Sequence, residues 1–278
     1  MIDLHTHSTV SDGSDEPGRI PELAAAAGCA TVALTDHDRL DGLAEAGARA
    51  GELGVELVPG CEISCANAPG TMHLLVYFVE PGDGPLQAEL TGLQQGRDDR
   101  NVALVERLRE LGLPITHEEL EAEAGGQGGG RPHAAAVLVA NGAAGSVQEA
   151  FDRWLAKGRP GYVEKPRLEP ARAIELARAS GGVAVLAHPL SLELEPAELD
   201  SKVGHLAGLG LGGLEALYGR YTSDERRELV ALAERHGLAV TGGSDHHGTY
   251  KPDLRVGVGR GDLDVPDHLL EGLRARRP

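Results

Sequence analysis

Six of the twelve histidines in this 278-residue chain stand at or beside the ends of short apolar runs. His5 and His7 end the first run, His37 follows the second, His73 opens the fourth, His188 closes the fifth and His247 follows the seventh. Asp12, Glu62 and Asp245 occupy the same neighbourhoods. Imidazole nitrogens and carboxylate oxygens are the donors that divalent transition metals take, and nine are too many for one ion. In His5-Thr6-His7 and Asp245-His246-His247 the outer residues are two apart, so an extended backbone turns both to one face. A lone histidine is usually a satisfied core or surface residue. Nine such donors would need nine separate hydrogen-bond solutions unless cations joined them. His117, His205, His236 and His268 fall in helical or loop stretches and are read as ordinary. His246 alternates away from its neighbours and is read as supporting them.

Donors scattered from residue 5 to residue 247 require a fold that gathers strand ends. Apolar, β-branched runs at 2–5, 31–35, 55–59, 72–79, 183–188, 214–218 and 238–244 predict seven strands. Amphipathic stretches at 19–28, 42–53, 170–180, 194–209 and 223–237 predict helices between them. Strict alternation of this kind points to a parallel sheet, and seven units suggest a closed barrel whose carboxyl-end rim collects side chains from different strands. The rhythm breaks between residues 79 and 183, where 101–111, 117–123, 133–139 and 147–156 read as helices. The expectation is a TIM-like α/β barrel formed by 1–80 and 179–278, with an α-helical insert at 81–178 for substrate recognition.

Composition excludes several classes. With 26 basic and 43 acidic residues the formal charge is −17, which argues against a protein that coats duplex DNA. The acid is concentrated outside the insert, which is nearly neutral, so a cation-hungry body carries a segment able to hold an anion. No apolar stretch reaches the roughly 18 residues of a membrane span, and MIDLHTHST has neither a basic region nor an apolar signal core. Cys29, Cys61 and Cys65 cannot all pair. A reducing cytoplasm is the expected location, with no membrane partner.

The segments LHTHSTVSDGS, LTDHD, GCEIS followed by His73, LAHP and GGSDHH resemble the successive motifs of the polymerase and histidinol phosphatase (PHP) superfamily, in its order. That resemblance implies a distorted seven-stranded (β/α)7 barrel with a trinuclear metal site that hydrolyses phosphoesters. It assigns one ion to His5, His7, Glu62 and Asp245, with Glu62 bridging to a second ion on His73 and His188, and a third ion to Asp12, His37 and His247. Manganese is favoured by the family precedent, with iron, zinc or magnesium as alternatives. Ions about 3.5–4 Å apart would clamp the attacking and leaving oxygens, with metal-activated hydroxide as nucleophile.

Within the insert, the glycine-rich run 125–130 leads into Arg131-Pro132-His133 and a helix. This is similar to the subgroup containing 3′,5′-nucleotide bisphosphate phosphatases, AMP phosphatases and a 5′-to-3′ exoribonuclease. So is Phe151-x-x-Trp154-Leu155-x-Lys157-Gly158-x-Pro160-Gly161-Tyr162-Val163. The resemblance implies a small nucleotide substrate, AMP or a 3′,5′-bisphosphate, and trimming of short RNA from its 5′ end. Arg131, His133 and Lys157 are the candidate substrate contacts, Lys157 for a second phosphate, and His133 or a water is the candidate general acid. Phe151 and Trp154 are read as the insert's own core. Arg97 and Arg100 flank a predicted helix start and are read as solvated. Histidinol phosphatase is the nearest rival, and the nucleotide-like insert speaks against it. From another class, a non-catalytic metal- or nucleotide-binding regulator would be signalled by a lost donor, and all nine are present.

Overall fold

The computed structural model describes every residue except 68, 126–128 and 165. Seven strands follow one another around a single sheet: β1 (Ile2–Asp3), β2 (Thr31–Leu34), β3 (Glu56–Cys65), β4 (Met72–Tyr77), β5 (Val183–Leu186), β6 (Gly213–Tyr218) and β7 (Ala239–Gly243). Backbone bonds from Leu4 to Gly242, Asp245 to His5 and His7 to His246 join the chain beyond β1 to β7 and close the barrel. The helices are α1 (Arg19–Ala27), α2 (Leu43–Leu53), α3 (Pro85–Glu110), α4 (His117–Glu123), α5 (Arg131–Ala140), α6 (Val147–Ala150), α7 (Pro170–Ala179), α8 (Pro196–Gly208), α9 (Ser223–Arg235) and α10 (His268–Arg274). A π-helical turn, Phe151–Leu155, continues α6.

The sheet is not wholly parallel. β4 runs antiparallel to both β3 and β5. Only residues 66–71 separate β3 from β4, too few for the dozen or more a parallel crossover needs, so the chain turns back as a hairpin. His73 therefore reaches the same rim from the amino end of its strand.

Alternation along the strands divides the barrel into two apolar layers. Ala33, Val58, Leu75, Tyr77 and Val185 fill the interior. Val32, Leu34, Leu74, Val76 and Leu186 face outward against the helices. Each fully buried large side chain contributes about 1.5–3 kcal/mol by leaving water. Tyr77 also donates its hydroxyl to the Leu4 carbonyl at 2.8 Å, so its polar tip is satisfied inside the barrel.

A third cluster, from Leu104 through Leu138 to Leu155, belongs to the helices between β4 and β5. Helix α3 joins the two bodies, because Leu86, Leu90 and Leu93 pack with the barrel while Leu104, Val105 and Leu108 pack with the helical cluster. Helix α7 packs Ala173, Ile174, Leu176 and Ala177 on the barrel side. All three cysteines are buried free thiols.

Candidate metal centre

The rim at one end of the barrel carries all nine donors. His5 and His7 follow β1, where Thr6 bridges to His246 beyond β7. Gly243 allows that approach: a Cβ there would lie 2.5 Å from His5 backbone and side-chain atoms. His37, just past β2, pairs as a bridge with Glu62 inside β3. Asp12 sits on a loop pinned by buried Asp36, whose carboxylate accepts from the Ser8 amide (2.8 Å), the Ser8 hydroxyl (2.6 Å) and the Ser11 hydroxyl (2.7 Å). His188 and Asp245 end β5 and β7 with φ of 25° and 57°, a left-handed backbone that non-glycine residues adopt at a cost and that collects at functional sites.

Glu62 is the centre of the arrangement and is 1% exposed. Its Oε2 lies 3.3 Å from His5 Nε2, 3.2 Å from His7 Nε2 and 3.2 Å from His37 Nδ1. Its Oε1 lies 3.0 Å from His73 Nδ1 and 3.0 Å from His188 Nε2. One carboxylate thus faces two separate donor groups. Asp245 Oδ1 stands 3.5 and 3.4 Å from the same His5 and His7 nitrogens. Its Oδ2 accepts from the Tyr218 hydroxyl and from Lys251 Nζ, both at 2.7 Å. Asp12 meets His247 Nε2 at 3.3 Å and His37 Nε2 at 3.7 Å.

Hydrogen bonds outside the cluster fix which imidazole nitrogen faces inward. His5 Nδ1 donates to Glu215 at 2.8 Å. The Ser191 hydroxyl donates to the Thr71 carbonyl, so it accepts from His188 Nδ1 at 2.9 Å. His247 Nδ1 donates to the Asp245 carbonyl at 2.9 Å. A ring without its second proton aims an Nε2 lone pair at a carboxylate, and lone pair against carboxylate is repulsive unless a cation lies between them.

Protons relieve only part of this. Burial disfavours charge on His7, but hydrogen bonds to Asp245 and Glu62 override it and push His7 up to about 9. Burial holds His37 well below its ordinary value and, with the nearby Lys251 charge, holds His247 at about 4. Burial alone would raise Glu62 and Asp12, yet the surrounding imidazoles keep both carboxyls well below the usual range. His37 Nδ1 is buried without a hydrogen-bond partner among the described residues. Divalent cations fit this donor set in a way that protons do not.

A cavity of about 450 Å³ opens beside Asp12, His37, His73 and His247, and its far wall is cationic: Arg97, Arg100, Arg131 and Arg167. The solvated reading of Arg97 and Arg100 is corrected here. Helix α3 begins at Pro85, so both lie mid-helix, and each is 5% exposed. They occupy the buried stripe Leu86, Leu90, Leu93, Arg97, Arg100, Leu104 and Leu108, at the three- and four-residue spacing of a core-facing helix. Arg97 pairs with buried Asp38, whose other oxygen accepts from the Ser64 amide at 3.1 Å. Arg97 Nε and Arg100 Nε and Nη1 have no partner among the described residues. Burial, together with the neighbouring Arg97 and Arg131 charges, pushes Arg100 down to about 9, still a cation at neutral pH.

Arg131, at the start of α5, lines the cavity as expected, donating to the Leu155 carbonyl at 3.1 Å and lying over the Tyr162 ring at 5.2 Å. His133 is 1% exposed and is not on the cavity wall: its Nδ1 accepts from the Gly130 amide at 3.0 Å, and its ring meets Tyr250 edge-on. Lys157 is exposed and off the wall. Residues 126–128 of the glycine run lie outside the described residues. His246 turns to Asp15 and the Leu254 carbonyl, both at 2.9 Å, in the supporting place expected. Glu215, Lys251 and Arg167 were missed. Glu215 had a signal, as a lone acid inside a predicted buried strand; the other two had none.

Known proteins resemble this chain along nearly its whole length. The PHP domain model matches residues 3–114. A 3′,5′-nucleoside bisphosphate phosphatase of Chromobacterium violaceum is 32% identical over 261 residues, covering 88% of this chain and 87% of its own. The 5′-3′ exoribonuclease Rnm of Escherichia coli is 34% identical over 251 residues, covering 89% of this chain and 85% of its own. A structure from Bifidobacterium adolescentis, put forward as a metal-dependent phosphoesterase, matches with a TM-score of 0.88 at 30% identity, over 100% of this chain and 96% of that one.

Proposed function

The chain belongs to the PHP domain family, and on that premise we propose that it is a metal-dependent phosphoesterase acting on small nucleotides that carry a second phosphate, nucleoside 3′,5′-bisphosphates above all. His5, His7, Glu62 and Asp245 hold one divalent cation in this reading, Glu62, His73 and His188 a second, and Asp12, His37 and His247 a third, with manganese the metal used. Such cations, when bound, supply Lewis-acid charge and an activated water.

The protein's own side chains do the rest. Glu215 keeps the His5 ring turned so that Nε2 faces the cluster, and its second oxygen accepts the His188 amide at 2.7 Å. Tyr218 and Lys251 hold Asp245 with Oδ1 presented inward. Arg97, Arg100 and Arg131 take the phosphate that does not react, the role expected of Lys157. Guanidinium groups suit it, because paired N–H donors match two phosphate oxygens.

The observation that carries the reading is the set of buried, unpartnered guanidinium nitrogens beside the donor cluster. Leaving such donors unmet is costly, and an incoming anion would satisfy them. AMP offers one phosphate and an aryl phosphate has no second charge to place, so both should be poorer substrates. The test is phosphate release with manganese from adenosine 3′,5′-bisphosphate, AMP, an aryl phosphate and histidinol phosphate. The bisphosphate should have the highest kcat/KM. A preference for histidinol phosphate would sink the reading.

A further inference from the structure

A phosphate that reacts at the rim must reach donors on both of its flanks, and two cavities meet there. The arginine-lined one borders Asp12 and His247, and a second, of about 430 Å³, borders Glu62, His188 and Asp245. His37 and His73 border both, so the cavities join at the cluster itself. Among the described residues, three that are not donors also border both: Thr71, Arg220 and Lys251. Lys251 is committed to Asp245. Arg220 holds no donor, and its one hydrogen-bond partner among the described residues is Asp253, met by Nη2 at 3.1 Å.

The backbone under Arg220 is held while its tip is not. Gly219 donates its amide to the Gly243 carbonyl at 3.0 Å, and a Cβ at Gly219 would lie 2.7 Å from the Ser244 carbonyl oxygen, so the end of β6 comes up against the residues that lead to Asp245. The Tyr221 amide closes a turn onto the Tyr218 carbonyl at 3.1 Å, and the Tyr221 hydroxyl accepts the Leu190 amide at 2.9 Å. The Arg220 side chain, by contrast, is 39% exposed, and Asp253 is shared with Arg260, whose Nε and Nη2 reach it at 3.1 and 3.0 Å. One carboxylate between two guanidinium groups leaves a positive charge uncancelled, and an exposed pair is a weak tether. Buried Arg97 and Arg100 have no such freedom.

We propose that Arg220 is a catalytic residue, which turns from Asp253 to the phosphate undergoing reaction and donates N–H groups to its non-bridging oxygens. The proposal rests on the phosphoesterase reading above but not on the choice of nucleotide. In the reaction the water oxygen joins phosphorus, the bond from phosphorus to the ester oxygen breaks with its electron pair, one water proton ends on that oxygen, and the other leaves with the new phosphate or to solvent. Arg220 gives and takes no proton. Its charge meets the oxygens that stay on phosphorus, over which the transition state spreads its negative charge. The two sets of arginines then differ in what they read. Arg100 and Arg131 hold a second phosphate, and so act through KM on substrates that have one. Arg220 grips the phosphate that every substrate has, and acts on all of them through kcat.

The experiment measures phosphate release, with manganese, from adenosine 3′,5′-bisphosphate, AMP and an aryl phosphate. Arg220→Ala should lower kcat by about 10²- to 10³-fold, by a similar factor on all three substrates, with KM and bound metal little changed. Arg220→Lys should keep more of the rate, and guanidinium ion added to Arg220→Ala should return part of it, because the position is open to solvent. Orthovanadate takes up the five-coordinate geometry of the transition state. Its binding, followed by calorimetry, should weaken in Arg220→Ala by about the factor lost from kcat, and binding of inorganic phosphate far less. A loss confined to the bisphosphate would move Arg220 to the second phosphate and overturn the proposal. So would an unchanged kcat, loss of bound metal, or vanadate and phosphate binding weakened alike. Wild type that favours the aryl phosphate overturns the nucleotide reading and leaves this proposal standing, and wild type that hydrolyses none of the three overturns both.

Discussion

The rim of donors and the arginine wall meet at one cavity, yet they are built in opposite ways. The donors come from strand ends between residues 5 and 247, and groups outside the cluster such as Glu215, Ser191 and Tyr218 steady them. Two of the four arginines come from one helix, where they stand in positions that apolar residues fill elsewhere along the same stripe. The rim presents oxygen and nitrogen lone pairs that want cations. The wall presents N–H groups that want an anion. A bisphosphate with its reacting phosphate on the cations and its other phosphate on the guanidinium groups would satisfy both, and neither region is well satisfied alone.

Breaking the rim should cost most. Glu62→Gln removes the carboxylate shared by both donor groups, so elemental analysis should find at least two ions lost and kcat should fall by about 10³ or more. Arg100→Leu sharpens the contrast, because it completes the apolar stripe of α3. It should raise the melting temperature of the metal-free protein, by removing a buried charge with two nitrogens unpartnered among the described residues, while lowering kcat/KM for bisphosphates by roughly 10- to 150-fold. Metal content should not change. A mutant both less stable and fully active would show that the arginine is structural.

Glu215→Gln keeps the shape beside His5 but removes the charge that steadies its ring. Manganese titration should show affinity weakened by about 10- to 100-fold, the usual cost of losing an outer partner of a ligand. Lys157→Ala should be the mildest change. Its side chain is exposed and away from the cavity wall, so kcat/KM on a bisphosphate should stay within about twofold.

The rim was legible because each motif places its donors close to a strand end, and all seven strands were predicted where they occur to within a few residues, β3 alone running several residues further. The antiparallel course of β4 was missed: with the third strand read as ending at residue 59 the alternation looked parallel, and only its extension to Cys65 shortens the link to Met72 below what a crossover needs. The arginine wall was hidden by an assumption about charge. Starting the helix near residue 101 put Arg97 and Arg100 in solvent, whereas continuing the leucine spacing back to Leu86 places both on the buried face. Lys251 was not legible at all. It reaches Asp245 from the residue just after a 3₁₀ turn, Gly248–Tyr250, whose sequence carries no sign of where it will lie.

The central claim is that cations and guanidinium groups divide one substrate between them. It is tested most directly by adding manganese to chelator-stripped wild-type and Arg100→Leu protein and measuring bound metal and phosphate release from adenosine 3′,5′-bisphosphate in the same samples. Both proteins should regain the same two or three ions, but only wild type should regain full turnover at low substrate. Restored turnover without bound metal, or equal turnover in the two proteins at every substrate concentration, would contradict it.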